Sequence, residues 1–310
     1  MKYRKLGATG LEVSEIGFGA WQLGNARDWS PMPDAAAVRL VHRALDLGCT
    51  LFDTAPNYGG GASQRLLGEA LKGRRHQVVL ISKFGHHAEG TDFEPSRLRP
   101  SVEASLQALH TDHLDGLLLH NPPAGHLTGT HPIYAELDRL KADGKIRHYG
   151  VSVDFSRDIL EVIRTTRSEI LEVLFNVFHQ EPAAAFAEAQ ARGVGLVVKV
   201  PLDSGWLSGK YSASSRFEGI RRRWTPAVIA RRADLLGQLG FLAEEGRSLA
   251  QAALGFILGF PEVSTVIPGP RTEAQLLENL SASGRPLPEA LHARVVAFWR
   301  QQLKEDPLPW

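Results

Sequence analysis

Two short stretches decide how this chain folds: Leu114–His120, LDGLLLH, and residues 196–200, LVVKV. Both are near-continuous apolar runs. A strand with one wet face alternates apolar and polar residues; a strand buried on both faces does not, so these read as parallel strands inside an α/β fold. The same unit recurs outward in both directions: a short apolar strand, a loop, an amphipathic helix and a glycine or polar turn. Strands are expected over 16–21, 50–55, 78–84, 114–120, 146–153, 171–177, 195–202 and 264–267. Helices follow near 34–47, 62–72, 95–109, 131–143, 156–166, 182–192, 226–258 (with a break near 240–246) and 272–281. Asp34 suits a helix cap, Pro95 and Pro182 suit first turns, and Gly48, Gly73, Gly144 and Gly193 suit helix stops.

Eight such units predict a closed (β/α)₈ TIM barrel, one domain over residues 1–310. An N-terminal β-hairpin turns at Gly7-Ala8-Thr9-Gly10, and an extra C-terminal helix spans 287–302 before the tail DPLPW. A doubly wound open sheet would need a nucleotide fingerprint. Gly17-Phe18-Gly19 meets Gln22 where the third glycine belongs, and Gly193-Val194-Gly195 meets Val198. Gly205-Trp206-Leu207-Ser208-Gly209-Lys210 runs into Tyr211 and does not complete a P-loop. Residues 203–225 exceed the simple repeat, and in a barrel such a long loop after a strand shapes a ligand site.

Bulk composition narrows the class without naming a function. The chain has 310 residues, 43% hydrophobic and 22% charged, with a formal net charge of +1. No bulk field recruits nucleic acid or an anionic membrane. Cys49 is the single cysteine, and the opening MKYRKLGATG has no apolar leader. These features point to a soluble, cytoplasmic protein, a monomer or weak homo-oligomer.

Read as barrel strand ends, four polar residues converge. Strand two ends at Asp53 and its loop delivers Tyr58; strand three carries Lys83; strand four ends at His120. Each alone has a bland reading, a loop clamp, a lid, a snorkelling amine or a satisfied core histidine. Together they make a coherent proton-delivery set. A phenol with a pKa near ~10 is a weak acid. A neighbouring ammonium stabilises its phenolate, a carboxylate holds that ammonium, and an imidazole can orient a carbonyl oxygen. No serine or cysteine stands as a nucleophile, so the nucleophile is external, water or a hydride.

The sequence here resembles the aldo-keto reductase family. The matching stretches, in family order, are FDTAPNYG with QRLLGEAL, ISKFG, LLLHNPP, GKIRHYGVS, PLDSGWLSGKY and VIPGPRTEAQLLENL. The resemblance implies reduction of a small-molecule aldehyde or ketone by a nicotinamide dinucleotide lying across the barrel mouth. Tyr58 would be the proton donor, Lys83 and Asp53 its tuning pair, and His120 the carbonyl-orienting residue. It further implies cofactor contacts from Ser152, Glu172, Asn176 and Lys199 at the nicotinamide end. Leu202, Ser204, Leu207 and Lys210 would cover the pyrophosphate, and Gly269, Arg271, Gln275, Glu278 and Asn279 would hold the adenosine end. Arg271 near a helix start suits a 2′-phosphate, favouring NADP(H) over NAD(H).

Three positions depart from the family pattern: Val153 replaces an Asn, Glu172 a Gln, and Lys199 a Tyr that stacks on the nicotinamide. Lys199 would either lie near that ring and disfavour its oxidised, cationic form or pair with Glu172 on the adjoining strand. Trp21, Trp29, Asn57, His86, Asn121, Trp206 and Trp224 fall at or after strand ends and are the candidate substrate pocket. The pairs His86-His87 and His110/His113 lack a third ligand, so no metal is expected. Arg221-Arg222-Arg223 reads as a solvated or anion-screening loop face. The alternative to an enzyme is a nicotinamide-binding sensor or regulatory barrel with little turnover.

Overall fold

The computed structural model describes residues 1–87, 90–243 and 246–309. Its centre is an eight-stranded parallel sheet curled into a barrel. In chain order the barrel strands are β3 (Phe18–Gly19), β4 (Leu51–Asp53), β5 (Val79–Phe84), β8 (Leu114–His120), β9 (Ile146–Val153), β10 (Ile170–Leu174), β11 (Gly195–Lys199) and β12 (Val263–Val266). Each pairs with the next in sequence among them. The ring closes through a parallel bridge between Ile16 and Val266, with Gly17 N–H donating to Val266 O at 2.8 Å. An antiparallel hairpin, β1 (Tyr3–Lys5) with β2 (Glu12–Ser14), covers the N-terminal end. A small ribbon, β6 (His86–His87) with β7 (Gly90–Thr91), follows β5.

Helices α1 (Asp34–Asp46), α2 (Ala62–Leu71), α3 (Pro95–Ala108), α4 (Ile133–Ala142), α5 (Ser156–Thr165), α6 (Phe186–Ala191), α8 (Leu249–Leu258) and α9 (Glu273–Leu280) surround the barrel. To these α7 (Pro226–Gly237) and the extra C-terminal helix α10 (Glu289–Gln302) are added. None of the described helices is long and apolar enough to cross a membrane.

Two apolar layers result. The outer one joins strand and helix faces; the inner one plugs the barrel with Leu51, Ile81, Leu118, Ile170, Val197 and Ile267, sealed below by Leu6 and Val13 of the hairpin. Side chains on a strand alternate faces, so residues two apart share one. The inward set one step above the plug is therefore Asp53, Lys83, His120, Glu172 and Lys199.

Several element bounds differ from the sequence expectation, for local reasons. The strand expected over 16–21 pairs as β3 only at Phe18–Gly19, because the chain turns from Trp21 onward. β10 stops at Leu174 because the Asn176 side-chain Oδ1 accepts from the backbone N–H groups of Phe178 and His179 and turns the chain. β11 stops at Lys199 because Val200 is left-handed, φ 53°. The helix expected over 182–192 splits into a 3₁₀ turn, Glu181–Ala185, and α6. The long helix expected over 226–258 is α7 and α8, with α8 opened by a Ser248/Gln251 capping box. Residues 244 and 245 of the expected break, and Trp310 of the tail, lie outside the described residues. Asp34 does not cap α1: Pro33 holds that position, and the Asp34 carboxylate accepts from Arg65 instead. Gly48, Gly73, Gly144 and Gly193 do end helices, all with positive φ.

The barrel wall tolerates no side chain at Gly150 of β9. A Cβ there would stand 1.6 Å from Ile170 O on β10, a backbone atom that cannot swing away. Gly150→Ala is expected to pry β9 from β10 at a cost of about 1–3 kcal/mol. Urea unfolding of the purified variant measures it; a midpoint equal to wild type would mean the two strands can separate freely.

Candidate active site

At the C-terminal end of the barrel the inward residues meet. Lys83 is fully buried and its Nζ donates to both Asp53 oxygens, at 2.6 and 2.5 Å, and to Thr54 O at 3.2 Å. It also stands 3.2 Å from Glu172 Oε2 and 5.0 Å from the centre of the Tyr58 ring. Tyr58 is held by the loop after β4. Its N–H donates to Ala55 O at 3.1 Å, and Gly59, Gly60 and Gly61 all follow with positive φ. A Cβ on Gly59 would come within 2.9 Å of the Gly24 backbone, so this turn needs glycine for space as well as conformation. The Tyr58 ring meets His120 edge-on at 6.0 Å, and His120 meets His86 at 4.6 Å. On its other side lie Trp21, at 6.5 Å from Tyr58, and then Trp29, 5.7 Å from Trp21. Five rings thus run in a row along the mouth.

The electrostatics follow from burial. Burial holds the Tyr58 phenol above its usual range; Lys83 pulls the other way, and Asp53 and Glu172 add to the rise. The ammonium alone would lower the phenol, but desolvation outweighs it, so Tyr58 carries its proton at neutral pH. Burial also disfavours the Lys83 charge, but Asp53 and then Glu172 overcome it and keep Lys83 cationic. Burial, then the Lys83 and Lys199 charges, push the His120 imidazole well down, so it is neutral. Its Nδ1 is buried with no partner. A neutral imidazole beside a protonated phenol can bind a carbonyl oxygen while the phenol gives it a proton.

A second polar group adjoins the first. Lys199 Nζ donates to Ser152 Oγ at 2.7 Å and Asn121 Oδ1 at 2.6 Å and pairs with Asp154 at 2.8 Å. Asn121 Nδ2 donates to Asp154 at 2.8 Å. The expected alternative of a Lys199–Glu172 pair is therefore corrected: Glu172 turns to Lys83, and Asp154 takes Lys199. Burial disfavours the Asp154 charge, yet Lys199 outweighs it and holds the carboxyl low.

The remaining expectations divide. Trp206 is wholly buried and Trp224 nearly so; they pack with Phe217, at 5.8 and 4.9 Å, inside the 203–225 insertion and do not line the mouth. Asn176 spends its carboxamide on Val200 O and on its own turn. Leu207 belongs to the core, whereas Leu202 only packs against it. Gly269 lies against Gln22, whose Oε1 would be 2.4 Å from an added Cβ. Gln275 accepts from the Arg271 backbone at 2.8 Å, and Asn279 is buried on α9 while Glu278 is half-buried. Ser204 is left-handed at the turn after β11. Asn57 Oδ1 is buried without a partner beside Tyr58.

The run 221–223 is a solvated face only in part. Arg222 and Arg223 are exposed, but Arg221 is buried, its guanidinium 3.7 Å above the Trp29 ring. Lys210 and Arg271 approach the same ring at 5.9 and 5.6 Å. Arg221 Nε and Nη2 and Arg271 Nε are buried without partners. Three cations around one indole, with spare N–H donors, suit the phosphates of a dinucleotide. Phe217 and Trp224, aromatics flanking the run, were the signal that this loop packs. Among the described residues no group of three or more His, Cys, Asp or Glu could hold a metal.

The sequence pattern of the Aldo/keto reductase family matches residues 15–300. The chain is 30% identical over 294 residues to an L-galactose dehydrogenase of Arabidopsis thaliana, covering 91% of this chain and 88% of that one. It is 29% identical to a probable voltage-gated potassium channel subunit beta of Oryza sativa subsp. japonica, covering 91% of each. The holo form of aldo-keto reductase AKR11C1 from Bacillus halodurans superposes with a TM-score of 0.79 at 27% identity, covering 96% of both chains.

Replacing Lys83 by Met would leave Asp53 and Glu172 facing each other without a cation. Removing one partner of a buried pair costs roughly 3–5 kcal/mol. Burial and Glu172 already hold Asp53 high, so the penalty is relieved when that carboxyl takes a proton. The stability gap between wild type and Lys83→Met should be small near pH ~4 and widen as pH rises toward ~8. Urea titrations across that window measure it, and a constant gap would mean that no carboxylate is stranded.

Proposed function

The chain belongs to the aldo/keto reductase family, and we propose that it is an NADP(H)-dependent oxidoreductase that reduces an aldehyde or ketone to an alcohol. The single observation that carries this reading is Tyr58, protonated by burial and flanked by cationic Lys83 and neutral His120 at one barrel mouth. A bound nicotinamide supplies the hydride. The chain's own residues do the rest. His120 and Tyr58 hold the carbonyl oxygen, the Tyr58 O–H bond breaks as the alcohol O–H forms, and Lys83 stabilises the phenolate left behind. Asp53 keeps the Lys83 ammonium aimed. Trp21 and His86 present an apolar wall with polar tips to the substrate, while Trp29 carries the cations set toward the cofactor.

Preference for the 2′-phosphorylated cofactor rests on the donors left over around Trp29, Arg271 above all. A hydrogen bond to a charged group contributes about 1.5–3 kcal/mol. Arg271→Ala should therefore weaken NADPH binding about 10- to 100-fold and leave NADH binding nearly unchanged. Fluorescence titration with each cofactor reads this directly; equal losses for both would remove the 2′-phosphate from the account.

Likeness to the channel subunit favours a second reading, a nicotinamide-binding regulatory barrel with little turnover. One assay decides. Follow NADPH and NADH absorbance with small, aromatic and sugar aldehydes, wild type beside Tyr58→Phe. Removing the general acid should cost about 10²- to 10⁴-fold in kcat with cofactor binding retained. Turnover by the variant equal to wild type would sink Tyr58 as the acid. Tight NADPH binding without reduction of any carbonyl would support the regulatory reading.

A further inference from the structure

The buried ammonium of Lys83 carries two carboxylates. Asp53 lies at 2.6 and 2.5 Å and Glu172 Oε2 at 3.2 Å, and the three side chains are 0 to 3% exposed. Glu172 Oε2 has no hydrogen-bond donor of its own, and its Oε1 accepts from Ser152 Oγ at 3.1 Å. If both acids were ionised, one negative charge would be left in dry space beside the candidate proton donor. Such a charge is costly, and the least costly relief is a proton on one acid, since two carboxylates in one site cannot both ionise freely.

Asp53 responds in that sense: burial first, then the Glu172 charge, hold its carboxyl well above the usual range, against the pull of Lys83. The groups facing the pair are few. They are Lys83 from β5, Tyr58 from the loop after β4, His120 from β8 with His86 behind it, and Lys199 from β11 with its partner Asp154. β9 presents uncharged Ser152, and β3 and β12 have no titratable residue.

We propose that Asp53 and Glu172 hold one shared proton at neutral pH, and that this pair is the store from which Lys83 replaces the proton Tyr58 gives up. The functional part rests on the reading of Tyr58 as proton donor. After Tyr58 has given its proton to the alcohol oxygen, a Lys83 N–H bond breaks and the Tyr58 O–H re-forms. A carboxyl O–H of the pair then breaks and restores the ammonium, leaving two carboxylates. One solvent proton refills the pair, and no electrons change hands. The refilling route is in place: Lys199, 13% exposed at its side chain, donates to Ser152 Oγ, which in turn can donate to Glu172. Glu172 is a positioning residue, acting through Lys83.

Infrared titration of the whole protein, without cofactor, tests the shared proton apart from any turnover. Wild type should show a protonated-carboxyl C=O band at pH ~7, well above the ordinary carboxylate range. The band should shift in D₂O and vanish in Glu172→Gln and in Asp53→Asn, each checked for folding by circular dichroism. Absence of the band in wild type, or its persistence in a folded Glu172→Gln, overturns the pair.

The store is tested by the pH profile of kcat for reduction. Wild type should lose activity as pH rises through the titration that the infrared band reports. Glu172→Gln should lack that limb and turn over about tenfold more slowly at pH ~7, with KM little changed. A Glu172→Gln profile superimposable on wild type overturns the store. Failure of Tyr58 as the acid would appear instead as full activity of Tyr58→Phe, with the infrared band untouched.

Discussion

Lys83 is fully buried in the barrel interior, and the geometry of the mouth follows from satisfying its charge. An isolated ammonium in such a place would lose its proton. Asp53 prevents that, and Asp53 can reach it only because β4 and β5 are neighbours in parallel register, Asp53 opposite Ile81. Tyr58, held by its own loop, rests beside the pair with its ring centre 5.0 Å from Lys83 Nζ. The buried ion pair is thus set by strand register. A slip of one residue in either strand would turn Asp53 or Lys83 into the helix layer and leave its partner uncompensated.

The same register explains why so much could be read from sequence. Leu51 and Asp53, Ile81 and Lys83, Leu118 and His120, Ile170 and Glu172, Val197 and Lys199 are pairs two residues apart on their strands. In each the apolar member plugs the barrel and the polar member stands above it. Once LDGLLLH is recognised as a strand buried on both faces, the polar residue near its C-terminal end must face the mouth. The barrel, and the placing of Asp53, Lys83 and His120 at one end of it, were legible on that basis, whereas the hairpin, the extra helix and Tyr58 were read from turn residues, helical pattern and a loop.

What was not legible depends on contacts between segments far apart in the chain. Arg221 looks like its exposed neighbours until the 203–225 insertion folds back and lays its guanidinium on Trp29. Trp206 and Trp224 look like mouth aromatics until the same folding buries them, with Arg232 pairing with Asp203 at 3.0 Å and reaching Pro309 O to lock the insertion to α7 and the tail. Lys199 and Glu172 lie on adjoining strands, and adjacency suggested a pair. The register sets Glu172 opposite Val197 and Ser152. The glutamate therefore points across the barrel at Lys83, and Ser152 stands between it and Lys199.

Charge is consequently distributed unevenly along the mouth. Towards β4, β5 and β10 the Lys83 ammonium is over-matched by two carboxylates, and Tyr58 and His120 beside it are neutral. Towards the insertion the balance reverses, with Arg221, Lys210 and Arg271 gathered on one indole and donors to spare. Neutral donors beside a held ammonium suit a polar but uncharged carbonyl, whose developing negative charge they can meet without having paired with it beforehand. A cluster of unspent guanidinium donors suits a ligand that arrives already anionic. The two halves therefore suit different ligand groups, a neutral polar one beside Tyr58 and His120 and an anionic one beside Arg221, Lys210 and Arg271.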